Sequence, residues 1–179
     1  MLSRHRWIVL VVLLMSAVGF VPAFAQTSAV VSDDFNRFRF DEDVWTVVNP
    51  AQTAEFRLVG TNTSDAWLEI DVPGGANQDV WFTGVDAPRI MQSVRNTDFQ
   101  LEARFESSVD VQGQSQGILV EQDAGNYLKV YFTVLNGQTT LFAAGATNFQ
   151  LNQNEPYLNM PIAPSGVSPL WLRLTRVQN

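Results

Sequence analysis

The sequence predicts an all-β domain, a sandwich or barrel of short antiparallel strands, and three observations carry that expectation. From residue 26 onward, apolar and polar residues alternate in short runs. Clusters of Gly, Asn, Asp and Pro separate those runs, and no stretch repeats its apolar residues with the 3.6-residue period of a helix. Successive side chains of a strand point to opposite faces, so an alternating run has one face for a core and one for water.

The first element belongs to targeting rather than to the fold. A charged start at Arg4 and Arg6, an apolar stretch from Ile8 to Val21 and the A-x-A-like Ala23-Phe24-Ala25 mark residues 1–25 as an export signal. The apolar stretch has 14 residues, short of the roughly 20 that a membrane-spanning helix needs. Cleavage near Ala25 leaves residues 26–179 as one domain of 154 residues, enough to enclose a sizeable core. The expected destination is periplasmic, cell-surface or extracellular, with no membrane contact after cleavage.

The predicted strands follow in order. Ala54 to Leu58, Trp67 to Val72 and Asp79 to Thr83 are the first short runs, and in the second Leu68, Ile70 and Val72 form the expected core side. Phe99 to Phe105 sets Phe99, Leu101, Ala103 and Phe105 against Gln100, Glu102 and Arg104. Gln116 to Glu121 comes next. In Asn126 to Val134, the clearest run, Leu128, Val130, Phe132 and Val134 should enter the core while Tyr127, Lys129, Tyr131 and Thr133 point away from it. Thr139 to Ala143 and Leu170 to Val177 complete the set.

Turn chemistry joins these runs. Pro73-Gly74-Gly75-Ala76-Asn77 and Asp123-Ala124-Gly125-Asn126 are turn clusters, and Asn136-Gly137 is a strong hairpin signal because both residues tolerate positive φ. Two hairpins are therefore expected, linking the Gln116 run to the Tyr127 run and the Tyr127 run to the Thr139 run. Ala146 to Ser168 is rich in Asn, Gln and Pro and reads as a long loop. The chain stops two residues after an alternating run, so further strands, and further domains of a longer protein, are an expectation.

Composition removes several function classes. Losing the signal takes away two of the 11 Lys and Arg and none of the 18 Asp and Glu, moving the formal charge from −7 to −9. A nucleic-acid partner needs a basic face and is not expected. The one histidine is His5, inside the signal, and there is no cysteine. The exported chain therefore has no Ser-His-Asp or Cys-His nucleophile system, no Cys/His zinc site and no disulfide. Chemistry would have to rest on carboxylates, Lys, Arg, Tyr or an oxygen-ligated metal such as calcium.

Three runs taken together carry a family resemblance: Asp98-Phe99-Gln100-Leu101-Glu102-Ala103-Arg104-Phe105, then Gln116-Gly117-Ile118-Leu119-Val120-Glu121-Gln122-Asp123, then Asn126-Tyr127-Leu128-Lys129-Val130. The chain resembles the concanavalin A-like lectin/glucanase superfamily, nearest the domain-of-unknown-function 1349 family, whose motifs read "DF-x-L-E-x-R", "Q-x-G-I/L-L-V-x-Q-D" and "N-Y/W-L-K". Ala87-Pro88-Arg89-Ile90 and Leu172-Arg173-Leu174-Thr175-Arg176 look like further counterparts. The resemblance spans most of residues 32–179 and implies a two-sheet antiparallel jelly-roll sandwich. It also implies a non-catalytic module that contacts carbohydrate or serves sugar-processing domains. Relatives continue past the "L-R-L-x-R" strand to a "D-G-x-x-W" turn absent here, which again suggests missing last strands.

The residues supply their own argument for sugar contact. Sugar rings offer apolar C–H faces and hydroxyl edges, so a binding surface wants aromatic platforms flanked by polar groups. Tyr127, Lys129 and Tyr131 are expected to share one sheet surface with Glu102 and Arg104, joined by Trp81; the same pattern also describes an ordinary solvated or covered sheet face. Trp45, Trp67 and Trp171 are expected to fill core or edge volume. For calcium, Asp33-Asp34 and Asp123 with Asn126 offer oxygens, without the dense D-x-D-x-D-G pattern.

Glu69 and Asp71, in Ala66-Trp67-Leu68-Glu69-Ile70-Asp71-Val72-Pro73, are the one glucanase-like pair. Residues i and i+2 of a strand lie roughly 6.6–6.8 Å apart on one face, compatible with the ~5–5.5 Å carboxyl separation of a retaining pair. The superfamily's glucanases carry a further Glu two or three residues on as the acid. Pro73 and Gly74 stand there instead, and neither donates a proton. A glycosidase using other carboxylates, such as Glu102 or Glu121, and a structural spacer or interaction domain remain as alternatives.

Overall fold

The computed structural model describes residues 30–74, 78–81, 84–152 and 156–177. The expected signal, residues 1–25, lies outside them, as do Gly75 to Asn77 of the first turn cluster and Phe82 and Thr83 of the third expected strand. The described residues contain no helix and form thirteen strands. They are β1 (Thr46–Val48), β2 (Glu55–Val59), β3 (Trp67–Asp71), β4 (Val80–Trp81), β5 (Gly84–Val85), β6 (Arg89–Met91), β7 (Phe99–Phe105), β8 (Ser115–Asp123), β9 (Asn126–Leu135), β10 (Gln138–Thr147), β11 (Gln150–Leu151), β12 (Leu158–Pro164) and β13 (Leu170–Arg176). Every pairing is antiparallel.

The central sheet is built on β9, which lies between β8 and β10. Both expected hairpins form. Asn136 and Gly137 have φ of 52° and 74°, the doubly positive pair of a two-residue hairpin turn, and Leu135 pairs with Gln138 across it. At the other end Asp123 pairs with Asn126, and its carboxylate accepts from the Gly125 N–H at 2.8 Å and from the Asn126 side-chain amide. The outer edge of β10 is shared by β11 and β12.

One face of this sheet meets the antiparallel pair β7–β13 to make a sandwich-like two-layer core. Leu101, Ala103 and Phe105 of β7 and Leu170, Leu172 and Leu174 of β13 pack on Ile118, Val130, Phe132, Val134 and Ala143. Phe105 meets Phe132 edge-on, with ring centres 6.0 Å apart and planes at 83°. Full burial of a Val, Leu, Ile or Phe side chain contributes roughly 1.5–3 kcal/mol, so Ile118, Val130, Phe132, Val134 and Leu172 make this cluster a principal source of stability. Val109 caps it at 1% exposure.

The opposite face of β9 is not the solvated face that alternation suggests. Tyr127, Lys129 and Thr133 are as buried as the residues of the core face. For Tyr127 and Lys129 the cause is the β4–β5 hairpin: Val80 and Val85 pack with Leu119, Tyr127 and Ala146 into a second, smaller cluster, and Lys129 reaches the Val80 carbonyl. A half-buried ion pair, Arg89 to Glu121 at 3.0 Å, ties β6 to β8 beside it, and Arg89 also donates to the Val85 and Ala87 carbonyls at 3.0 Å. A strand covered on both faces cannot be told by period-two patterning from one covered on a single face.

Two further expectations are corrected. Ala146 to Ser168 is not a long loop: β10 runs on to Thr147, Asn148 and Phe149 turn it into β11, and β12 pairs with Gln138 to Ala143. Pro161 and Pro164 are tolerated because β12 is an edge strand, and the register slips where Thr139 faces Ala163 and Thr140 faces Pro161. In β3, Leu68 and Ile70 are half-buried opposite Leu58 and Phe56, but Val72 lies past the strand and is exposed.

Candidate functional site

The six residues expected on one surface separate into two groups on two different layers. Trp81, Tyr127, Lys129 and Tyr131 gather beneath and within the β4–β5 cover, while Glu102 and Arg104 stand on the outer face of β7.

The first group is organised around a buried cation. Lys129 is 8% exposed, and its ammonium donates to the Val80 carbonyl. The ammonium lies 3.8 Å from the centre of the Trp81 ring and 4.9 Å from that of Tyr131. Tyr131 in turn packs on Phe142 at 5.4 Å. A desolvated ammonium over aromatic faces gains up to ~2 kcal/mol, which offsets part of its lost hydration. Local sequence makes the space: Gly117 pairs with Tyr131 and Ala144 with Lys129, so small residues flank the long ones. This arrangement fastens β4 to the sheet, and the Tyr131 and Lys129 side chains are engaged inside the protein.

The second group faces out. Because Leu101, Ala103 and Phe105 of β7 and Leu170, Leu172 and Leu174 of β13 point to the core, the intervening residues form the outer face. Register pairs Gln100 with Thr175, Glu102 with Arg173 and Arg104 with Trp171, and all six are exposed. Trp171 is 59% exposed, which corrects the expectation that it fills core or edge volume. The Arg104 guanidinium sits 5.5 Å from the centre of the Trp171 ring. Arg104 pairs with Glu106 at 2.9 Å, and Arg173 donates through Nε to Glu102 at 2.6 Å. The signal for Trp171 was in the sequence: three leucines alternate with Trp171, Arg173 and Thr175, so a core for the leucines puts the tryptophan in water.

Comparison with family models, with curated proteins and with solved structures returned no match.

The other candidates are held by local chemistry. Glu69 and Asp71 lie on the exposed face of β3, where Arg57 of β2 reaches both: it pairs with Glu69, donating through Nε at 3.2 Å, and lies 3.6 Å from Asp71 and 3.1 Å from Glu55. The hydrogen bond that Arg57 donates to Glu69, then the charge of that carboxylate, raises the Arg57 pKa above its ordinary value. Asp33 accepts from the Phe35 N–H at 2.8 Å and from the Trp45 indole at 2.9 Å; Asp34 accepts from the Asn36 N–H at 3.0 Å. Trp45 packs on Phe35 at 5.9 Å. Among the described residues no three His, Cys, Asp or Glu side chains gather as a metal cluster.

Proposed function

We propose that the chain is an exported, non-catalytic β-sandwich module that holds carbohydrate on the outer face of β7–β13, alone or in the service of sugar-processing domains. The observation that carries this reading is Trp171, 59% exposed on a regular sheet face and flanked by Arg104, Glu102 and Arg173. An indole standing out from a flat sheet face offers a broad, rigid apolar surface to a ligand. A sugar ring is a fitting cover, since its C–H face stacks on the indole while its hydroxyls meet charged donors and acceptors. Glu102 and Arg104 belong to this surface; Trp81, Tyr127, Lys129 and Tyr131 support the fold behind it.

A glycosidase reading has less support. The pair Glu69 and Asp71 is shared by Arg57, and Glu121 is paired with Arg89, so each of these carboxylates is turned to a guanidinium of the protein itself. The jelly-roll and concanavalin A-like assignments stay part of this proposal. The test is a glycan array probed with the purified chain and with Trp171→Ala. Binding that Trp171→Ala abolishes supports the reading; a bare array, or binding indifferent to Trp171, overturns it.

A further inference from the structure

Resting on that reading, we infer that the face takes an internal stretch of a neutral polysaccharide and rejects acidic ones. The first argument is charge. Each cation on the face has its own carboxylate: Arg173 is held by Glu102 at 2.6 Å and Arg104 by Glu106 at 2.9 Å. Two guanidinium groups and two carboxylates cancel, so the face carries no net positive charge to draw in a uronate or sulfate. The whole chain carries −7, and a polyanion approaching it meets repulsion that the paired face does nothing to relieve.

The second argument is shape. Trp171, Arg173 and Thr175 follow one another along β13, with Arg104, Glu102 and Gln100 opposite them on β7. Side chains on one face recur roughly every 6.6–6.8 Å, so the row is about 13 Å long. One end offers an indole and the rest offers amide, hydroxyl and ion-paired groups able to exchange hydrogen bonds with hydroxyls. A row of this kind on an exposed sheet face reads a chain lengthwise, whereas capture of a chain end needs enclosing walls.

Native gel electrophoresis of the purified chain through gels cast with neutral polysaccharides (hydroxyethylcellulose, xylan, galactomannan), with polygalacturonate or alginate, or with none, tests this. The expected result is retardation in at least one neutral gel, normal mobility in both acidic gels, and less than tenfold weaker binding after the chain ends are reduced and capped. Trp171→Ala loses the retardation and Trp171→Tyr recovers part of it. The double variant Glu102→Gln, Glu106→Gln exposes both guanidinium groups and gains retardation in polygalacturonate that 0.5 M salt removes. Wild-type retardation in an acidic gel overturns the neutral assignment while leaving sugar binding intact. No retardation in any gel overturns the sugar reading itself.

Discussion

The Lys129 ammonium lies 3.8 Å from the centre of the Trp81 ring, and this contact joins the middle strand of the main sheet to the short hairpin that covers it. Lys129→Met keeps the stem and removes the charge. It takes away the cation–π contact and the donor to the Val80 carbonyl, so unfolding in urea should need less denaturant by the equivalent of about 1–2 kcal/mol. Indole fluorescence should shift to the red as Trp81 loosens. An unchanged midpoint would show that the ammonium contributes nothing net.

Gly117 faces Tyr131 across the β8–β9 ladder, where an added Cβ would stand 2.3 Å from the Val130 carbonyl oxygen and 2.4 Å from the Tyr131 Cα. Both are backbone atoms of the central strand and cannot swing aside. Gly117→Ala should therefore cost about 3 kcal/mol or more, seen as loss of soluble protein or a large drop in melting temperature. Gly74→Ala, with nothing within 4 Å, is the matched control and should be tolerated.

The two arginine clusters should behave differently. Arg89 and Glu121 are each 16% exposed, so Glu121→Gln leaves a half-buried guanidinium without its anion and should cost about 2 kcal/mol, with little salt dependence. Arg57 is exposed. Arg57→Gln should change the unfolding midpoint little, and 1 M salt should erase whatever change it makes. Equal effects in both would contradict the burial difference.

Trp171→Ala should leave stability within about 0.5 kcal/mol of the parent, since the residue is 59% exposed on an outward sheet face beside Arg104. Equilibrium denaturation checks this before any binding comparison. A large destabilisation would mean that the indole supports the sheet rather than presenting a surface.

The fold was legible where one strand face meets a core and the other meets water. Phe99 to Phe105 is such a strand, and its expected bounds match β7. Asn136-Gly137 was legible because the turn demands positive φ from both residues. β12 was not, since Asn159, Pro161 and Pro164 weaken its local preference and its strand character comes from pairing with β10, whose partners run from Ala143 opposite Leu158 to Gln138 opposite Pro164. Burial of Lys129 was hidden for a related reason: its cover, Val80 and Trp81, lies nearly fifty residues upstream, and charge in sequence argues for water. For the candidate site, Glu102 and Arg104 were found without the indole beside them, because tryptophan was read by its usual preference for interiors rather than by its place between leucines.

The prolines of β12 have a consequence beyond the monomer. Pro161 and Pro164 remove two N–H groups from a seven-residue strand at the rim of the largest sheet, and the register slips beside them. A strand from another molecule arriving there meets an incomplete row of donors. This rim is therefore a poor template for fibril growth, a protection built into the covalent chain.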